Sequence, residues 1–152
     1  MNKLPSLVLA ASVAMIIASC SSSDSGTTAP VEAPIGDISG GWSVFETAIS
    51  STSECNGTES YDVTITQNDS AITVTGQPGD IVTGTLSGSA LSLTGSRAED
   101  PGVVTYNSIK ATIPADCSSF TAQTTWTYNE TGFTCNGTGT ITATRNSGGT
   151  TC

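Results

Sequence analysis

The chain has 152 residues, with 4 Lys and Arg against 13 Asp and Glu, 5 cysteines and no histidine; that length accommodates one ordinary domain. The missing histidine excludes Ser-His-Asp triads, Cys-His dyads and imidazole metal sites, and the shortage of bases excludes nucleic-acid binding by phosphate neutralisation. Hydrophobic residues make up 36% and charged residues only 11%, the polarity coming instead from 26 Thr and 22 Ser, a balance that can still build a core.

Residues 1–20, MNKLPSLVLAASVAMIIASC, place Lys3 ahead of an apolar stretch from Leu4 to Ile17, followed by Ala18, Ser19 and Cys20. A basic start, a short apolar run and small residues at a cleavage site make a secretory signal peptide, and the run falls short of the ~20 residues of a spanning helix. Ile17-Ala18-Ser19-Cys20 resembles the bacterial lipobox. The resemblance implies cleavage ahead of Cys20, a diacylglycerol on its sulfur and a further acyl chain such as palmitate on its amine. Two or three acyl chains anchor stably where one is marginal. Ser21, where an aspartate retains many lipoproteins in the inner membrane, points to the outer membrane of a Gram-negative cell envelope. The mature chain keeps all 13 acids and only 3 bases, which repels it from an anionic membrane surface and suits a basic partner.

Residues 1–19 are therefore expected to be a signal peptide and 20–37 a lipidated tether rich in Ser and Pro, without apolar periodicity. From 38 to 152 the period is two. Tyr61 to Gln67, Ala71 to Thr75, Leu91 to Thr94, Phe120 to Tyr128 and Phe133 to Arg145 alternate apolar and polar residues, the polar ones mostly threonine, the pattern of half-buried antiparallel strands. Eight strands are expected, over about 41–50, 60–68, 71–76, 80–87, 90–97, 102–114, 118–129 and 132–146, joined by short turns such as Gln77-Pro78-Gly79-Asp80 and Asn129-Glu130-Thr131-Gly132. Short links pair sequential neighbours, so the fold class is all-β, an eight-stranded antiparallel up-and-down barrel, with a β-sandwich as the alternative.

With Cys20 acylated, Cys55, Cys117, Cys135 and Cys152 remain for two disulfides. In a meander, Cys55 and the start of the last strand at Cys135 lie at one end, and Cys117 and Cys152 at the other. Pairing Cys55 with Cys135 and Cys117 with Cys152 joins like ends, and the first bridge staples the seam between strands 1 and 8. The absence of a CxxC pair and of histidine argues against a metal or redox role for them.

Gly40-Gly41-Trp42 opens the first strand and Arg145 ends the last. On a closed barrel both face inward at the base, a guanidinium over an indole. The pattern resembles that of lipocalins and the wider calycins, with Gly40 and Trp42 matching the first-strand motif and Arg145 the closing arginine. That resemblance implies a small barrel that carries a ligand. The threonine-aspartate-tyrosine motif of lipocalins is absent, and about 110 residues of barrel make a shallow cavity at most. The inward list, from Trp42 and Tyr61 to Trp126 and Tyr128 with small residues such as Gly84, Gly137 and Ala143 between them, favours a packed core over an apolar pocket.

Glu46 falls on the inward face of strand 1, where Arg145 or Lys110 could neutralise it; Asp62 is the other notable carboxylate, and no spacing proposes a catalytic pair. The expectation is a non-enzymatic protein with no cofactor and no metal, monomeric and anchored through its lipid. It binds a small apolar ligand or serves as a non-catalytic envelope module; the alternative is an interaction or inhibitor protein that engages a basic protein through acidic loops.

Overall fold

The structure is a computed structural model that describes residues 32–148; the segment expected to be a signal peptide, Cys20 and Cys152 lie outside the described residues. Eight strands follow in order: β1 Gly40–Ser50, β2 Gly57–Asn68, β3 Ala71–Thr75, β4 Ile81–Ser87, β5 Ala90–Glu99, β6 Gly102–Thr112, β7 Ser119–Glu130 and β8 Phe133–Gly148. Each pairs antiparallel with its sequence neighbour, and β1 pairs with β8, closing the barrel. Closure excludes the sandwich and is consistent with a lipocalin-like fold. A single 3-10 turn, Ser53–Cys55, links β1 to β2.

Alternation places Trp42, Val44, Glu46 and Ala48 of β1 inward while Ser43 and Phe45 face out, and β7 repeats the pattern with Phe120, Ala122, Thr124 and Trp126 buried between exposed Thr121, Gln123 and Thr125. Following paired residues once round the barrel from Gly40 returns to β1 at Ser50, a stagger of 10 residues. That stagger tilts the strands by about 40°. Eight-stranded barrels of stagger 8 are filled by side chains; the larger stagger widens this lumen by roughly a tenth in radius.

Two breaks in the ladder shape the interior. At Gly95, with φ 151°, the β5–β6 register shifts. A Cβ there would collide with the Ile81 carbonyl of the neighbouring strand, so only glycine lets β4 and β5 approach so closely at this corner. A second shift between Tyr106 and Ser108 turns the inward set of β6 from Val104 and Tyr106 to Ile109 and Ala111.

The base is sealed. Ile38, fully buried, lies under Trp42, whose indole N–H donates to the Ile38 carbonyl at 3.0 Å. Trp42 packs on Phe120 with centroids 5.2 Å apart, and the Arg145 guanidinium lies 5.0 Å over the Trp42 ring while donating to the Asp37 carbonyl at 2.8 Å. The strand expected to begin the barrel is thus preceded by a strap. Ile35 N–H donates to the Gly88 carbonyl, Gly88 N–H to the Glu32 carbonyl, and Gln67 bridges Ile38 N–H and the Gly36 carbonyl. Asp37 accepts from Ser39, which holds its carboxyl below the ordinary carboxylate range. Above this base, Ile65, Ile72, Leu86, Leu91, Leu93 and Ile141 form the packed core.

Candidate functional site: the barrel mouth

The end opposite the strap is open. There the β1–β2 loop, the end of β5 and the β7–β8 turn surround a cavity of about 540 Å3. The Cys55–Cys135 disulfide lines it and ties the β1–β2 loop to β8, as the meander predicts. Cys117 is buried at the other end of the barrel and is disulfide-bonded; Cys152, its expected partner, lies outside the described residues.

The cavity floor is a polar layer across the lumen. Glu46, 6% exposed, accepts hydrogen bonds from the hydroxyls of Tyr61 and Tyr106, both at 2.8 Å and both on Oε2. Arg97, 9% exposed, lies 4.0 Å from the same oxygen, donates to Glu59 at 2.7 Å and to Glu99 at 3.2 Å, and stacks 4.5 Å over the Tyr61 ring. Burial pushes the Tyr61 phenol up, and the Glu46 carboxylate adds to this; for Tyr106 burial is again the main cause, with Tyr61 and Glu46 behind it. Burial works against the Arg97 charge, yet the oxygens of Tyr106, Tyr61 and Glu59 outweigh it and hold its pKa above the ordinary guanidinium value.

Above the floor the walls are aromatic. Trp126 is fixed by donation from its indole N–H to the Thr138 carbonyl at 3.0 Å, and Tyr128 meets Phe133 edge-on at 6.3 Å. The Tyr128 hydroxyl donates to Glu130 at 2.8 Å, which pushes its pKa up to about 12. Below the floor lies a second, apolar space of about 70 Å3 between Val44, Ile65, Leu93, Phe120 and Ile141. The interior is therefore packed at the base and open at the mouth, where the sequence favours a packed core over an apolar pocket. The wider stagger leaves room at the upper end of the lumen, where Ala48 is the small inward residue of β1 that lines the cavity.

Trp42 and Arg145 meet at the base with Gly40 opening the same strand as Trp42, and none of the three lines the cavity. Glu46 faces inward as expected, but neither anticipated cation reaches it: Lys110 is exposed on the outer wall and Arg145 sits at the base. Asp62 is on the outside, accepting from Ser43 at 2.7 Å. Arg97 and Tyr106, the residues that hold Glu46, escape sequence reasoning. Arg97 continues the odd-numbered inward face of Leu91, Leu93 and Gly95, a signal masked because charge reads as surface. Tyr106 sits before a register break that its own alternation does not announce.

Among the described residues, no group of three or more His, Cys, Asp or Glu is placed to hold a metal ion, and no helix is long and apolar enough to cross a membrane. The chain matches no protein-family model and no curated protein. Function must be argued from the mouth itself.

Proposed function

We propose that this protein is a lipid-anchored envelope lipoprotein whose barrel carries a small ligand in its mouth without transforming it. The observation that carries the reading is the asymmetry of the lumen: one end is sealed by Ile38, Trp42 and the strap, and the other opens onto about 540 Å3 with a fixed floor. That volume falls within the ~300–1,000 Å3 of small-ligand sites. Glu46 is held by two tyrosines, Glu59 and Glu99 by Arg97, and Glu130 by Tyr128, an arrangement that favours binding over proton transfer. The lipobox at 17–20 supports the anchor, and Arg145 over Trp42 supports kinship with lipocalin-like barrels. Because the described chain enters at the sealed base, an anchor upstream of Glu32 leaves the mouth facing away from it.

Two measurements test this. Mass spectrometry of chain recovered from membranes should find diacylglycerol on Cys20, and Cys20→Ala should leave the membrane fraction; an unmodified Cys20 rules out the anchor. Native mass spectrometry should find a small molecule retained by the parent and lost from Ala48→Trp, which fills the mouth, with circular dichroism verifying the barrel. Retention by the filled variant would rule out the mouth as the site. A second reading, a module engaging a basic protein, draws on the glutamates at the rim and requires a salt-sensitive complex.

A further inference from the structure

We propose that the mouth selects small organic cations, an amine or guanidinium carried on a ring-sized apolar body. This rests on the small-ligand reading and names its ligand class. Three observations converge on it: the charge balance of the lining, the rings that face the cavity, and the state of its single guanidinium.

Glu46, Glu54, Glu59, Glu99 and Glu130 line the cavity against one cation, Arg97. Arg97 already has three of these carboxylates within 4.0 Å. Glu130 is engaged only through a phenol, and Glu54 through the Ser53 hydroxyl at 3.1 Å. The concave shape and low-dielectric walls focus this excess negative field into the lumen. A ligand cation satisfies it; a ligand anion meets five carboxylates against one guanidinium that already has three of them within 4.0 Å. A neutral apolar ligand covers carboxylates and strips their water with nothing in exchange, which costs several kcal/mol in such settings.

The rings supply the other half of the recognition. Trp126, Tyr128, Phe133 and Tyr106 all border the cavity, and the faces of such rings attract cations while their area buries an apolar body. Glu59 and Glu99, with side chains 47% and 46% exposed, can turn toward an incoming cation without unfolding the floor. The buried Glu46, pinned by two hydroxyls, stays as the fixed negative end of the site.

The test uses the full chain and three probes with one body and three charges: 4-phenylbutylamine, 4-phenylbutanol and 4-phenylbutyrate. Calorimetry should show the amine binding at least about tenfold tighter than the alcohol, with no detectable binding of the acid. The amine's affinity should fall severalfold when salt rises from about 20 to about 500 mM. Glu130→Gln should weaken the amine severalfold and leave the alcohol unchanged, while Asp62→Asn on the outer wall changes neither. Alcohol or acid binding as tightly as the amine overturns the cation preference and leaves the small-ligand reading standing. Amine binding that ignores both salt and Glu130→Gln places it outside the mouth and overturns the proposal. Failure of all three probes to bind overturns the proposal while native mass spectrometry with Ala48→Trp continues to decide the small-ligand reading.

Discussion

In the middle of the barrel, the Arg97 guanidinium, the Glu46 carboxylate and two phenols share a space from which bulk water is largely removed. The two phenols gain their stability from the carboxylate they share, so deleting it exposes the cost of burying them. Glu46→Ala should lower the unfolding free energy by about 2–4 kcal/mol, because two hydroxyls lose their acceptor and the Arg97 guanidinium loses a carboxylate 4.0 Å away. Glu46→Gln, which keeps an acceptor for the tyrosines, should cost less; equal costs in urea denaturation would show that the hydroxyl bonds contribute little. All three tyrosines of the chain, Tyr61, Tyr106 and Tyr128, have raised pKa values. A raised phenol binds its proton more tightly in the fold than in the unfolded chain. The stability it contributes is therefore complete below the ordinary value of about 10 and is lost as pH climbs past it. Absorbance at 295 nm should stay flat through about pH 10 in the native protein and rise only at higher pH, whereas urea-unfolded chain should titrate near 10. A native transition at the ordinary value would contradict the buried cluster.

At the level of elements, one device staples the open end and another seals the base. The Cys55–Cys135 bridge spans 80 residues of sequence and crosses the seam where β1 and β8 pair. Chain-entropy arithmetic gives up to about 4.5 kcal/mol for a loop of that size. Replacing both cysteines by serine should therefore lower stability by a few kcal/mol while the β1–β8 ladder keeps the barrel closed, with circular dichroism unchanged and the melting temperature reduced. At the other end the strap seals the base through Ile38. Ile38→Ala should cost about 2–4 kcal/mol, since the side chain is fully buried beside Trp42 and its removal leaves a cavity in the seal. The strand periodicity places all eight strands within a few residues. It starts β2 at 60 where pairing begins at Gly57, and it ends β5 at 97 where pairing continues to Glu99. Both differences fall at the mouth, where the inward face turns from apolar to charged and the alternation stops being visible as hydrophobicity.

For the whole molecule, charge placement matters more than charge number. Of the bases among the described residues, Arg97 is in the mouth floor and Arg145 at the base, leaving Lys110 alone on the outer wall. The charges of the outer surface are thus nearly all carboxylates, and they repel one another more than they pair. Moderate salt should stabilise the fold: the melting temperature should rise by a few degrees between about 20 and about 200 mM NaCl as the Debye length shrinks below the spacing of surface carboxylates. A fall would mean that exposed ion pairs, not repulsion, dominate.

The sequence by itself determined the strand count, the meander, the inward face of most strands, the seam disulfide and the meeting of Trp42 with Arg145. These follow from period-two alternation and short links, which are local and survive in one dimension. Only the tertiary structure decided that the lumen is sealed below and open above, and that Arg97 and Tyr106, 51 and 60 positions from Glu46, hold it in place. Stagger and register breaks set which side chains share a level inside a barrel. Those quantities arise from pairing between strands, and no single strand carries them.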